Sequence, residues 1–308
     1  MTLYNNILET IGNTPLVKLS KISKQVKAAI YAKLEFFNPG SSVKDRPAYN
    51  MVLVAEKQGL INKNSILVET TSGNTGIGLA LVCAVKEYNL RIYMPETASE
   101  ERRKIMKAYG ATLILTPKEE GISGALERAK EYAEKTENAY LVNQFMNKAN
   151  PAIHRQTTAR EIWSDLEGKV DVFIACMGTG GTITGTGEKL KELNPNIHII
   201  VVEPKNSPVL SGGSPGKHEI EGIGPGFIPD ILNTEIYDEI ITIVEEEAYS
   251  MSKELAKVEG IFAGKSAGAA LAAALKYAEK KQREENIVII IPDTGERYLS
   301  TELWDSIE

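Results

Sequence analysis

The chain has 308 residues, 43% of them hydrophobic and 25% charged, which excludes a disordered protein and leaves apolar material for about two domains. With 41 acidic against 35 basic residues the formal net charge is −6, so no overall basic field exists to hold a nucleic acid. No apolar run approaches the roughly 20 residues of a membrane span, and the opening MTLYNNILETIGNTP has no basic or apolar leader segment; the expectation is a cytoplasmic protein with no membrane partner.

In chain order, short β-branched runs alternate with longer amphipathic stretches. The pattern predicts a strand over 29–33, a helix over 44–57, a strand over 65–69, a helix over 76–88, a strand over 91–94, a helix over 100–109, a strand over 112–115 and a helix over 122–135. It continues with a helix over 153–166, a strand over 170–176, a helix over 182–193, strands over 197–203 and 239–244, helices over 245–259 and 266–283, and a strand over 287–292. Strand and helix in alternation mean βαβ units and mostly parallel sheets. A closed eightfold barrel is the alternative, but the glycine clusters and irregular spacings favour two open sheets with flanking helices.

Ligands of open α/β sheets sit beyond the carboxyl ends of the strands. Four glycine-rich loops occur there: TTSGNTGIG after SILVE, MGTGGTITG after VFIAC, SGGSPGKHEIEGIGPGFIP after VVEP, and GKSAGAA after Ile261 to Ala263; the expectation is that they line one cleft. Gly178, Thr179, Gly180, Gly181 and Thr182 form a strand-to-helix loop whose N–H groups, helix dipole and two hydroxyls suit an anion. Ile183 stands where a dinucleotide fingerprint needs its third glycine, so the loop suits one phosphate on a small cofactor.

Other nucleophiles are scarce. Cys83 and Cys176 sit in apolar runs and read as buried thiols. The three histidines have no metal-ligand spacing, no GxSxG is present, and no metal is expected. In NPGSSVKDR, Lys44 precedes a helix that Pro47 can enter in its first turn, and the positive helix end and Arg46 both oppose its protonation. A neutral amine there can attack an aldehyde. One phosphate and one aldehyde together point to pyridoxal 5′-phosphate.

At this point the chain resembles the cysteine synthase (O-acetylserine sulfhydrylase) family, within the tryptophan synthase β-type class. The resemblance rests on IGNTPLVKL (11–19), AKLEFFNPGSSVKDR (32–46), TSGNTGIGLA (71–80), NQFMNKANPAIHRQTTAREIW (143–163), GTGGTITG (178–185), EGIGPGFIP (221–229) and PDTGERYLST (292–301), seven segments in the family's order. It implies a fold type II enzyme with pyridoxal phosphate in the cleft between two domains, the larger from 1–43 plus 150–308 and the smaller, mobile one from 44–149. It implies that Lys44 carries the cofactor and moves the Cα proton, and that Asn74 bonds the cofactor's 3′ oxygen. Thr71, Ser72, Gly73, Thr75 and Gln144 match the pocket for the α-carboxylate, and Gly178 through Thr182 the phosphate cup. Ser266 matches the hydroxyl at the pyridine nitrogen, and Gly222, Ile223 and Gly224 the loop that meets the bound amino acid.

Four positions depart from the sulfhydrylase pattern. Lys265 replaces an apolar or small residue, and either points to solvent or sits near the pocket. Ala159 and Arg160 replace Gly-Pro in what reads as a surface helix, and Asp230 brings a carboxylate beside the closing loop. Lys265 and Asp230 are therefore the candidate specificity residues. The implied reaction is β-replacement on an L-serine derivative by a sulfur nucleophile, with O-acetyl-L-serine and sulfide giving L-cysteine and acetate as the leading pair. The alternative uses L-cysteine or L-serine as donor, releasing hydrogen sulfide or forming serine, lanthionine or cystathionine. The family resemblance also implies a homodimer and permits a regulatory complex with serine acetyltransferase.

Overall fold

The computed structural model describes residues 3–305. Its strands are β1 (Leu16–Lys18), β2 (Ala29–Leu34), β3 (Ile66–Thr70), β4 (Asn89–Pro95), β5 (Thr112–Thr116), β6 (Ala139–Leu141), β7 (Val172–Cys176), β8 (His198–Pro204), β9 (Glu239–Ile243) and β10 (Asn286–Ile291). Its helices are α1 (Asp45–Lys57), α2 (Asn74–Lys86), α3 (Glu100–Ala108), α4 (Gly121–Lys135), α5 (Ala149–Gln156), α6 (Thr158–Asp165), α7 (Gly181–Leu193), α8 (Glu245–Glu254) and α9 (Lys265–Lys281).

The chain divides into two compact units, one of Met1–Ile11 with Asn38–Asn150 and one of Gly12–Phe37 with Pro151–Glu308. The boundary expected between 43 and 44 falls inside the smaller unit's second segment, and the N-terminal stretch expected in the larger domain also belongs to the smaller unit. The reason is packing: Leu8 is buried with Met51, Leu67 and Leu90 in that unit's core.

The smaller unit holds a four-stranded parallel sheet in the order β5-β4-β3-β6. Helix α2 is buried from Thr75 through Cys83, all round its circumference, which its run GIGLALVCA permits. The larger unit holds a six-stranded sheet in the order β1-β2-β10-β7-β8-β9, parallel except for the β1–β2 pair. Ile287, Ile289 and Ile291 of β10 join one core cluster with the alanine-rich α9, while Val288 and Ile290 join another with Ile162 and Ile183. Both faces of this sheet are covered, so its strands read as unbroken apolar runs rather than as alternations. Two open sheets replace any closed barrel.

The strand β1 and the strand β6 escaped the sequence pattern. Each has three residues, and neither carries a fully buried side chain, so no alternation marks them. The helix expected over 153–166 is two helices, broken at Thr157 (φ −121°, ψ −72°). There the Thr157 hydroxyl donates to the Ile153 carbonyl at 2.7 Å, competing with the helical backbone bonds. Ala159, expected on a surface helix, is fully buried in the core, whereas Arg160 is exposed.

Candidate active site

In the smaller unit, β3 ends at Thr70, the chain crosses residues 71–73, and α2 begins at Asn74. The N-cap of α2 is Gly73, which has no side chain to cap the first turn, so the helix start presents backbone donors and a positive dipole end. Thr71 accepts the Gly73 N–H at 3.1 Å, a turn that shapes the loop. Buried Thr75 donates to Gln144 Oε1 at 2.6 Å, so two of the residues expected around a carboxylate meet. Ser72 is half-buried in the same loop.

Beneath this loop lies a residue the sequence reading missed. Glu69 is 2% exposed, and its carboxylate accepts the Thr70 N–H at 2.7 Å and the Gln144 N–H at 3.1 Å. Burial pushes its pKa up to about 7, against the opposing pull of the two backbone donors. Its signal was available in ETTSGNTG: a glutamate within an otherwise apolar strand must find partners.

Lys44 is the residue before α1, half-buried, with its N–H donating to Ser42 Oγ at 3.2 Å. A Cβ at Gly78 of α2 would lie 3.1 Å from the Lys44 carbonyl, so only a small residue lets α2 pack so close to the lysine's backbone. Asp45 and Arg46 are buried immediately after it, and the Asp45 carboxylate accepts the Gly40 N–H.

In the larger unit, β7 runs into residues 178–180 and α7 starts at Gly181. Gly180 caps α7 in the left-handed conformation (φ 84°) with no capping side chain. Thr179 is buried and Thr182 half-buried. Thr182 Oγ1 lies 3.4 Å from His154 Nε2, whose Nδ1 is 3.0 Å from Thr158 Oγ1. His154 was not singled out beforehand, although it lies in the quoted segment 143–163.

Three of the four glycine-rich loops meet in this unit. A Cβ at Gly178 would lie 2.5 Å from the Gly222 carbonyl oxygen, the Gly224 N–H donates to the Met177 carbonyl at 2.8 Å, and Cys176 Sγ donates to the Ser266 carbonyl at 3.3 Å. Gly222 and Gly224 have φ of 86° and 58°, and Ile223 between them is buried. Ser266 is buried as the second residue of α9, whose N-cap is Gly264, so it is not the cap. Lys265 does not point to solvent: it is 2% exposed and pairs with Glu221 at 3.4 Å. Asp230 is exposed in the turn closed by the Leu232 N–H on the Pro229 carbonyl. Cys83 is buried and Cys176, read as buried, is half-buried; burial pushes both thiols up to about 12, away from nucleophilic use.

The family described as pyridoxal-phosphate dependent enzyme matches residues 7–293. A probable cysteine synthase of Bacillus subtilis is 52% identical over 305 residues, 98% of each chain. A crystal structure of a cysteine synthase of Entamoeba histolytica superposes with a TM-score of 0.96 at 47% identity, covering all of this chain and 92% of the other. A hydrogen sulfide-producing enzyme of Fusobacterium nucleatum does so with a TM-score of 0.92 at 46% identity, over 96% of this chain and all of the other. The chain belongs to the pyridoxal-phosphate-dependent cysteine synthase family.

Its donor sets fit that cofactor. The start of α7 offers backbone N–H groups and threonine hydroxyls with no carboxylate among residues 178–182, which suits a phosphate dianion. Lys44, at the head of a helix whose neighbour α2 starts with an uncapped turn, carries an amine of the kind that would take the aldehyde.

Proposed function

We propose that this enzyme makes L-cysteine and acetate from O-acetyl-L-serine and sulfide. The observation that carries the reading is the near-full-length identity of about half with cysteine synthases, supported by Lys44 at the head of α1 and by the helix starts after the 71–73 and 178–180 loops. When bound, pyridoxal phosphate supplies an electron sink that lets a β-substituent leave an amino acid. Lys44 holds the cofactor by its aldehyde carbon and moves the proton at the amino acid's Cα. The backbone donors at the start of α2, with Thr71, Ser72, Thr75 and Gln144, hold the α-carboxylate with neutral groups already in place. Asn74 bonds the cofactor's 3′ oxygen. Gly178, Thr179, Gly180, Gly181 and Thr182 hold the phosphate. Ser266, buried in the first turn of α9, would hold the pyridine nitrogen with a neutral hydroxyl, where a carboxylate would favour its protonated form.

The likeness to a hydrogen sulfide-producing enzyme supports a second reading with the same machinery, in which L-cysteine or L-serine is the donor. Titrating the purified protein with O-acetyl-L-serine, L-serine and L-cysteine while recording its visible spectrum separates the two. A response to O-acetyl-L-serine at the lowest concentration supports the first; a response to L-cysteine or L-serine at lower concentration replaces it with the second. We further propose a cytoplasmic homodimer, with serine acetyltransferase as a partner. Among the described residues no helix is long and apolar enough to cross a membrane.

A further inference from the structure

Lys265 stands in a place hostile to a cation. It is the first residue of α9, where the helix dipole is positive, and its side chain is 3% exposed. A buried ammonium there needs nearby negative charge. Its ammonium lies 3.4 Å from Glu221 Oε1, 5.1 Å from the centre of the Tyr249 ring and 5.9 Å from that of Tyr298. Both tyrosines are themselves tied down: Tyr249 donates to the Glu219 carbonyl at 3.4 Å, and Tyr298 to Asp293 Oδ2 at 2.7 Å. The carboxylate that answers the cation opens the segment Glu221-Gly222-Ile223-Gly224.

That segment is pinned at further points. The Gly222 carbonyl abuts Gly178, the Gly224 N–H donates to the Met177 carbonyl, and His218 Nε2 donates to the Gly224 carbonyl at 3.0 Å. Gly222 and Gly224, both with positive φ, are the joints between these pins. If Glu221 swung away, the buried ammonium would lose the carboxylate paired with it at 3.4 Å. The pair therefore ties the segment to the start of α9, directly beside Ser266.

We propose that Lys265 is a positioning residue for amino-acid binding: by holding Glu221 it sets the conformation in which Gly222, Ile223 and Gly224 meet the donor amino acid. The inference rests on the function proposed above. Its test uses the cofactor-loaded protein and the variants Lys265→Met, Glu221→Gln and the two combined. Glu221→Gln, at a side chain 30% exposed, keeps the shape and an acceptor oxygen facing Lys265 and serves as the second variant should Lys265→Met fold poorly.

Two quantities are read. Amide hydrogen exchange over residues 220–228, without any amino acid, is expected to rise about tenfold in both single variants. The donor concentration that half-converts the visible spectrum is expected to rise about tenfold, with cofactor content and resting spectrum unchanged, and the double variant is expected to be no worse than the worse single one. Unchanged exchange, unchanged half-conversion, or losses that add in the double variant would each overturn the inference. A wild-type protein whose spectrum answers no amino acid would overturn the proposed function and this inference with it; a responsive wild type matched by its variants would overturn the inference alone.

Discussion

Replacing Glu69 by glutamine probes the floor of the candidate carboxylate site. Glu69 ionises at about 7 in the folded protein against an ordinary 4.5, because burial disfavours its charge. Between those two values the folded state holds more protons than the unfolded chain, so stability falls as pH rises through this window and levels off above it. The gap corresponds to roughly 3 kcal/mol once the group is fully ionised. Glutamine does not titrate. It also keeps only one acceptor oxygen for the two N–H groups of Thr70 and Gln144, a pH-independent loss of about 1–3 kcal/mol. The variant is thus expected to be less stable than wild type at pH 5, and the difference is expected to shrink by roughly 2–3 kcal/mol by pH 8, most steeply from pH 5 to 7. Urea unfolding of both proteins at four pH values, at one protein concentration and with excess cofactor, measures it. Parallel stability curves would show that Glu69 ionises alike in folded and unfolded chains and would refute the reasoning.

Lys44→Ala is expected to abolish the visible cofactor band, and borohydride reduction followed by peptide mapping should label Lys44; label on another lysine removes it from its assigned role. Gly181→Asp sets a carboxylate at the start of α7 and should cut cofactor retention on dialysis more than Thr179→Ala does, with substrate preference unmoved in both; full retention in the aspartate variant places the phosphate elsewhere. Gly185→Ala would bring a Cβ to 1.9 Å from the Pro151 carbonyl oxygen, so α5 and α7 must separate, and a loss of about 2 kcal/mol or more in urea unfolding is expected. Asp230→Asn is expected to alter turnover with an amino-acid thiol or water more than turnover with sulfide; equal fractional changes return Asp230 to a surface role.

Local sequence determined a good deal here. Short β-branched runs such as VFIAC and NIVIII read as strands, and β7 and β10 are strands covered on both faces. The glycines of 178–181 could be read without a fold, because a strand-to-helix turn needing positive φ at Gly180 is a property of a few adjacent residues. The same holds for Lys44 at the head of α1, whereas α2, expected from 76, starts at Asn74 with Gly73 as its cap. What escaped was non-local or too short. The strands β1 and β6 exist because a neighbour offers a free edge, and three residues carry no period of their own. Thr157 breaks a helix whose apolar pattern runs on through it. His154 meets Thr182 across 28 positions, Glu69 receives the Gln144 N–H across 75, and Lys265 finds Glu221 across 44. A charge in a sequence announces that it needs a partner. Only the folded chain decides which partner, because desolvation and pairing act through space: Lys265, open to either solvent or pocket on sequence alone, is buried because α9, Tyr249 and Tyr298 enclose it and Glu221 answers its charge.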